Sequence, residues 1–193
     1  MALTCLACNR AAPESERALA ELERMAFVPS GQAPFITREI SQDLLVDQYE
    51  VTRGEFRRYL EQSGRALGEP WPEKLRSWSA DTDPWPASFM TQGEAAEFAA
   101  RRSMRLPRGA EWLLVAAGPR GRFYPWGSTP QESVANTLEL GLNRPVAVGS
   151  FESGRTPQSC YDLLGNVWEW NSDALPGQDS ESDKVSVAGG SYL

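Results

Sequence analysis

A chain of 193 residues suffices for one domain with a real core, and 41% apolar residues with seven Trp, 16 Gly and 14 Pro point to a loop-rich α+β domain rather than a helix bundle. A formal net charge of -7 disfavours nucleic acid as a partner, and the densest basic stretch (Arg101, Arg102, Arg105 and Arg108) surrounds a helix end, where cations are favourable anyway. The sequence has no His, which excludes triad hydrolysis and imidazole-based zinc sites and leaves carboxylates, Cys, Tyr, Lys and backbone for any chemistry.

No segment reaches the ~18 apolar residues that span a bilayer. The opening, Met1 to Arg10, is short, apolar and rich in small residues, and turns polar at Pro13 to Arg17. That switch after a Cys resembles the tail of a bacterial lipoprotein signal, with Cys8 (or Cys5) lipidated, the protein attached to a membrane, and a location in the periplasm or cell envelope. The basic n-region and most of the apolar h-region are missing, so this reading puts the start codon upstream. Two alternatives stand beside it. One is a plain N-terminus with two ordinary thiols and a cytoplasmic protein. The other is a Cys-x-x-Cys redox or zinc half-site, for which no second Cys pair exists. Leu19, Leu22 and Met25, three apart, predict a short helix over Glu14 to Met25 ending before the turn Pro29-Ser30-Gly31. Residues 1–26 are read as a signal remnant or tether and 27–193 as the domain.

In the domain, Phe35 to Thr37 and Leu44 to Val46 are strand candidates, the second running into Tyr49 to Val51. Thr52 and Glu55 have capping-box spacing, and Phe56, Tyr59 and Leu60 mark the buried face of a helix ending near Gly64. Residues 65–88 form a Pro- and Trp-rich connector with Trp71, Trp78 and Trp85, of a length that is functional or packed by its own aromatics. A second capping box, Thr91 and Glu94, opens a helix burying Ala95, Phe98 and Ala99. A third helix after Leu106-Pro107 carries Trp112, Val115 and Ala116 and stops at Gly118-Pro119. Beyond it, short turn-bounded segments predict small twisted sheets and ordered loops, with Trp112, Trp126 and Trp170 as core aromatics.

Seven segments then occur in a recognisable order: Tyr49-Glu-Val-Thr52; Met104-Arg-Leu-Pro107 with Ala110-Glu111-Trp112 and Ala116-Ala117; Tyr124-Pro-Trp-Gly127; Ala135-Asn136; Pro145-Val146 with Val148-Gly-Ser-Phe151; Tyr161 to Trp170; and Gly189-Gly-Ser-Tyr192. Across residues 49–192 they resemble the formylglycine-generating enzyme (sulfatase-modifying factor) domain family. The resemblance implies a C-type-lectin-like α+β fold with little regular structure, two or three helices and small antiparallel sheets. It also implies a chain incomplete at its C-terminus, because the family's closing strands follow the last motif and only Leu193 follows Tyr192. Arg108, where the family prefers a capping Thr, and Ala99, where it often has Cys, depart from the pattern.

Two carboxylates seven apart, Asp162 and Glu169, flank a Gly turn and can converge if the segment coils, and carboxylate and carbonyl oxygens together suit Ca²⁺. The family binds calcium here, and the resemblance assigns the side chains of Asp162 and Glu169 with the carbonyls of Gly165 and Val167. The plainer alternative is that Glu169 and Asn166 hydrogen-bond loop amides. A second family calcium site would begin at Asn136 and Thr137, but no Asp occurs between Leu138 and Arg144 to complete it. Trp168, Ser191 and Tyr192 match positions that line the family's active site. The family's oxidases bind copper through a Cys pair beyond the last motif. No such pair is present here, and Cys160 does not align with it, so copper and catalysis are not expected. A lone Cys such as Cys160, with no His to lower its pKa, reads as a small buried hydrophobe. The expected function is a non-catalytic module with one calcium site that binds a protein, peptide or glycan. The alternative is a copper-dependent oxidase converting a substrate Cys to formylglycine, whose catalytic end is lost from this gene model.

Overall fold

The structure is a computed structural model and describes residues 6–7, 22–36, 38–63, 78–173 and 186–193. Three small antiparallel sheets, three α-helices and three short 3-10 turns make up its regular structure among these residues, an α+β arrangement. In the first sheet, β5 (Leu44–Asp47) lies between β1 (Leu6–Ala7) and β2 (Met25–Val28). The predicted tether therefore contributes a strand to it. A hairpin of β3 (Gly31–Ala33) and β4 (Arg38–Ile40) forms the second sheet, and β6 (Glu169–Trp170) pairs with β7 (Val187–Ala188) in the third. No helix among the described residues is long and apolar enough to cross a membrane.

Both capping boxes close as the spacing predicts. Helix α1 (Arg53–Gln62) is capped by Thr52, whose hydroxyl accepts from the Glu55 amide while the Glu55 carboxylate accepts from the Thr52 N–H at 2.9 Å. Thr91 and Glu94 do the same for α2 (Gln92–Arg101). Helix α3 (Gly109–Ala117) starts differently, because Arg108 offers no acceptor at the cap. The Glu111 carboxylate takes the Arg108 N–H at 2.7 Å, and Asp173, 64 residues on, accepts the Gly109 N–H at 2.8 Å. Gly118, at φ +65°, closes the helix where a side chain would collide with Arg122.

Two apolar clusters hold these elements. Phe56, Tyr59 and Leu60 of α1 meet Phe98 and Ala99 of α2, with Trp78, Met104, Leu106 and Trp170. Ala26, Leu44 and Val46 of the first sheet meet Leu114 and Val115 of α3 with Leu163 and Cys160. The faces read from the helical spacing are thus the ones buried.

Several local expectations are corrected. Met25 opens a strand rather than ending a helix; only a single turn precedes it at 22–24, and residues 14–21 lie outside the described residues. Pro34 to Ile36 form the turn of the β3–β4 hairpin, because Pro cannot donate to a ladder and Phe35 sits at φ +64°, while Thr37 lies outside the described residues. The strand at Leu44 stops at Asp47 and bends at 48–49 before reaching Glu50. Of the three Trp expected in the core, Trp170 is buried and donates to the Met90 carbonyl at 3.1 Å. Trp112 is half-buried against the second cluster. Trp126 is not core. It stacks on Tyr124 at 5.0 Å, and its indole N–H is satisfied locally by the Thr129 carbonyl. Cys5, Cys8, Gly64 and Trp71 fall outside the described residues.

Candidate functional site

The site is built on the segment 162–169, which coils tightly. Asp162, Gly165 and Asn166 have φ of +55°, +88° and +50°. Gly165 is required there, since a Cβ would collide with the Asn136 carbonyl. Asn tolerates the left-handed region better than other residues with a side chain, which suits position 166.

Asn166 fastens three distant segments together. Its Oδ1 accepts from Asn136 Nδ2 at 3.0 Å and from the Val146 N–H at 3.1 Å, and its Nδ2 donates to Glu50 Oε2 at 2.6 Å. Its own N–H donates to the Asn136 carbonyl at 2.8 Å, and its carbonyl accepts from the Tyr192 N–H at 3.1 Å. Glu50 Oε1 also accepts the Val167 N–H at 3.3 Å. Glu50 lies in the Tyr49-Glu-Val-Thr52 motif, and no local pattern around it signals a role. The structure makes it the buried acceptor at the base of the coil.

Asp162 and Glu169 are both buried, each held by a separate donor. Asp162 Oδ2 accepts the Gly149 N–H at 2.7 Å, and Glu169 Oε2 accepts the Trp112 indole N–H at 2.7 Å. Burial pushes the Asp162 carboxyl up to about 6, against the lowering effect of the Gly149 amide. Glu50 is held well above the ordinary carboxylate range, first by burial and then by repulsion from Asp162 and Glu169. Glu50 thus feels the two buried acids of the coil.

Among the described residues, no three His, Cys, Asp or Glu side chains converge as a ready metal cage. A coil-bound Ca²⁺ needs fewer side chains, because main-chain oxygens make up the set. The donor chemistry fits. The Asp162 and Glu169 carboxylates are present, and among the described residues no hydrogen-bond donor reaches the carbonyls of Gly165 and Val167. The position of the second predicted site is different. Asn136 is buried, and its amide donates to the Arg144 carbonyl and to Asn166, so it serves as a bracket for the coil. Its Oδ1 is sealed without a partner among the described residues, and Thr137 is half-buried.

Of the predicted lining residues, Trp168 is exposed, while Ser191 and Tyr192 are half-buried, with Tyr192 docked on the coil through Asn166. Beside Gly189 a cleft of about 220 Å³ is lined by Phe35, Trp112, Phe123 and Leu163. A larger cleft of about 430 Å³ lies between α1 and α2, where Arg102 forks onto Asp47 at 2.7 and 2.9 Å and Arg24 meets Glu55 at 2.6 Å. Cys160 is the free cysteine among the described residues; it is buried, and burial pushes its thiol up to about 12.

Comparison with known proteins agrees with the motif order. The family described as sulfatase-modifying factor enzyme 1-like domain matches residues 12–193. A hercynine oxygenase of Mycolicibacterium smegmatis is 36% identical over 95 residues, 47% of this chain and 22% of that protein. An inactive C-alpha-formylglycine-generating enzyme 2 of Bos taurus is 29% identical over 120 residues, 56% of this chain and 39% of that protein. A formylglycine-generating enzyme of Streptomyces coelicolor is 30% identical over 167 residues, 67% of this chain and 52% of that protein. The chain therefore spans between about a fifth and a half of the curated relatives it matches.

Proposed function

The chain belongs to the sulfatase-modifying factor enzyme 1-like domain family, and from that premise we propose that it is a non-catalytic binding module of C-type-lectin-like fold whose ligand surface is set by one calcium site. The observation that carries this reading is the acidic coil: buried Asp162 and Glu169, with carbonyls of Gly165 and Val167 that no donor reaches among the described residues, braced by Asn166 and Glu50. Calcium held by those four groups would neutralise the buried acids and tie the coil that carries Trp168 and docks Tyr192. The ligand is a protein, peptide or glycan, met at Trp168, Ser191 and Tyr192.

The state of Cys160 supports a non-catalytic role. A sealed thiol titrating at about 12 supplies neither a nucleophile nor a copper ligand near neutral pH. The similarity to the Streptomyces coelicolor enzyme over 67% of the chain favours a second reading, copper-dependent oxidation of a substrate Cys to formylglycine. Incubating the protein with copper and a Cys-x-Pro-x-Arg peptide separates the two: turnover establishes the oxidase, and an unchanged peptide leaves the binding module.

Calcium has its own test. A ligand bound only by the native state stabilises it by about 2.7 kcal/mol at a hundredfold excess over Kd. Melting curves with calcium and with chelator should therefore separate by several degrees, and Asp162→Ala should abolish the gap. Superimposed curves would remove calcium from the reading. Anchorage at a bacterial envelope through a lipid on Cys8 is a separate part of the proposal, since cleavage before Cys8 would remove β1, and the mass of membrane-extracted protein tests it.

A further inference from the structure

Arg53, the first residue of α1, is a buried cation with no carboxylate partner among the described residues. Its backbone N–H is held by the Trp85 carbonyl at 2.8 Å, and its Nε donates to the Pro86 carbonyl at 3.4 Å. Its guanidinium carbon lies 5.0 Å from the centre of the Trp78 ring and 5.1 Å from that of Trp85, and Arg144 lies over Trp85 at 5.6 Å. The nearby acid Asp83 pairs with Arg57 through Oδ2, while its buried Oδ1 has no partner among the described residues. Burial pulls the Arg53 pKa down, and the titratable neighbour that counters this is the phenol of Tyr192.

Cation–π contact offsets part of the cost of burying Arg53, but it uses the faces of the guanidinium. The five N–H donors lie in the plane and point outward, so indole contact leaves them available. Only Nε has an acceptor. The Nη groups donate to no described residue, yet they are not among the polar atoms sealed from solvent, so they open outward from a buried stem. The buried Trp78 indole N–H also lacks a partner among the described residues. A cation with an open planar fork is matched by a planar oxyanion that accepts two parallel hydrogen bonds.

The geometry points to Arg53 as the receptor for a small carboxylate ligand, taken edge-on by its two Nη groups beside Tyr192 while Trp78 and Trp85 hold the guanidinium. This rests on the binding-module reading and supplies the chemistry of the ligand. Its failure is separable, because calcium is read from melting curves and the carboxylate from Trp emission.

The test titrates the full chain with benzoate and with the neutral isostere benzamide, following the emission of the Trp residues. Saturable quenching by benzoate and none by benzamide is the expected result. Arg53→Lys keeps the charge and the apolar stem but loses the fork, and should weaken benzoate at least tenfold in protein whose circular dichroism is unchanged. If that variant does not fold, the guanidinium resonance of Arg53 in the wild-type protein provides the second reading, and it should shift with benzoate and not with benzamide. An equal response to the two compounds, benzoate binding unaltered in folded Arg53→Lys, or a guanidinium resonance that stays still would each overturn the assignment.

Discussion

Asn166→Ala removes the clamp that draws residues 50, 136, 146 and 166 together. The Val146 N–H and Glu50 Oε2 lose their Asn166 partner, whereas Asn136 Nδ2 keeps the Arg144 carbonyl. Each buried polar group left unsatisfied costs about 1–3 kcal/mol. Holding an Ala at φ +50° adds about 1 kcal/mol, since its Cβ crowds the following carbonyl. The expected loss is therefore roughly 3–7 kcal/mol, a large share of the roughly 5–15 kcal/mol that holds an ordinary domain together. Urea unfolding followed by Trp fluorescence measures it as a fall in midpoint at constant slope. Asn166→Gly separates the two contributions: it breaks the same hydrogen bonds but relieves the backbone, and should be about 1 kcal/mol better than Ala. A loss below about 1 kcal/mol for the Ala variant, against the cost expected for orphaned buried groups, would refute the clamp.

Glu111 gives a pH-dependent prediction. Burial raises its pKa, but the Arg105 fork at 2.7 and 2.8 Å and the Arg108 amide outweigh burial and hold it below its ordinary value. A carboxyl lowered in the folded state stabilises above the unfolded pKa and loses that effect as pH falls through the folded one. Glu111→Gln should thus be less stable than wild type at pH 7, with the gap shrinking below about pH 4, as melts across pH will register. Asp173→Ala leaves the first amide of α3 without its acceptor and should cost about 0.5–2 kcal/mol by denaturant titration. Cys160 should resist iodoacetamide in native protein and react once urea unfolds it, read by mass spectrometry of the peptide containing it; rapid native labelling would contradict its burial.

Features written within a few neighbouring residues were legible from sequence. Thr52 with Glu55 and Thr91 with Glu94 are three apart, so cap and helix are specified together. The coil at 162–169 was readable because both acids and the Gly turn lie in one stretch. What distant partners decide was not legible. Asp173 supplies the cap that Arg108 lacks, and Glu50 gains its role from Asn166 and Val167. The hairpin was missed for a local reason, because Phe35 counts as a strand former by type yet occupies the left-handed turn.

The bond between Glu50 and Asn166 bridges a sequence separation of 116 residues. Closing so long a loop costs entropy before any contact in the coil can repay it, which makes this bridge a late event in folding. During synthesis, Glu50 and its surroundings leave the ribosome well before Asn166 exists, and until then its carboxylate must stay hydrated. The coil at 162–169 consequently assembles after the helices that support it.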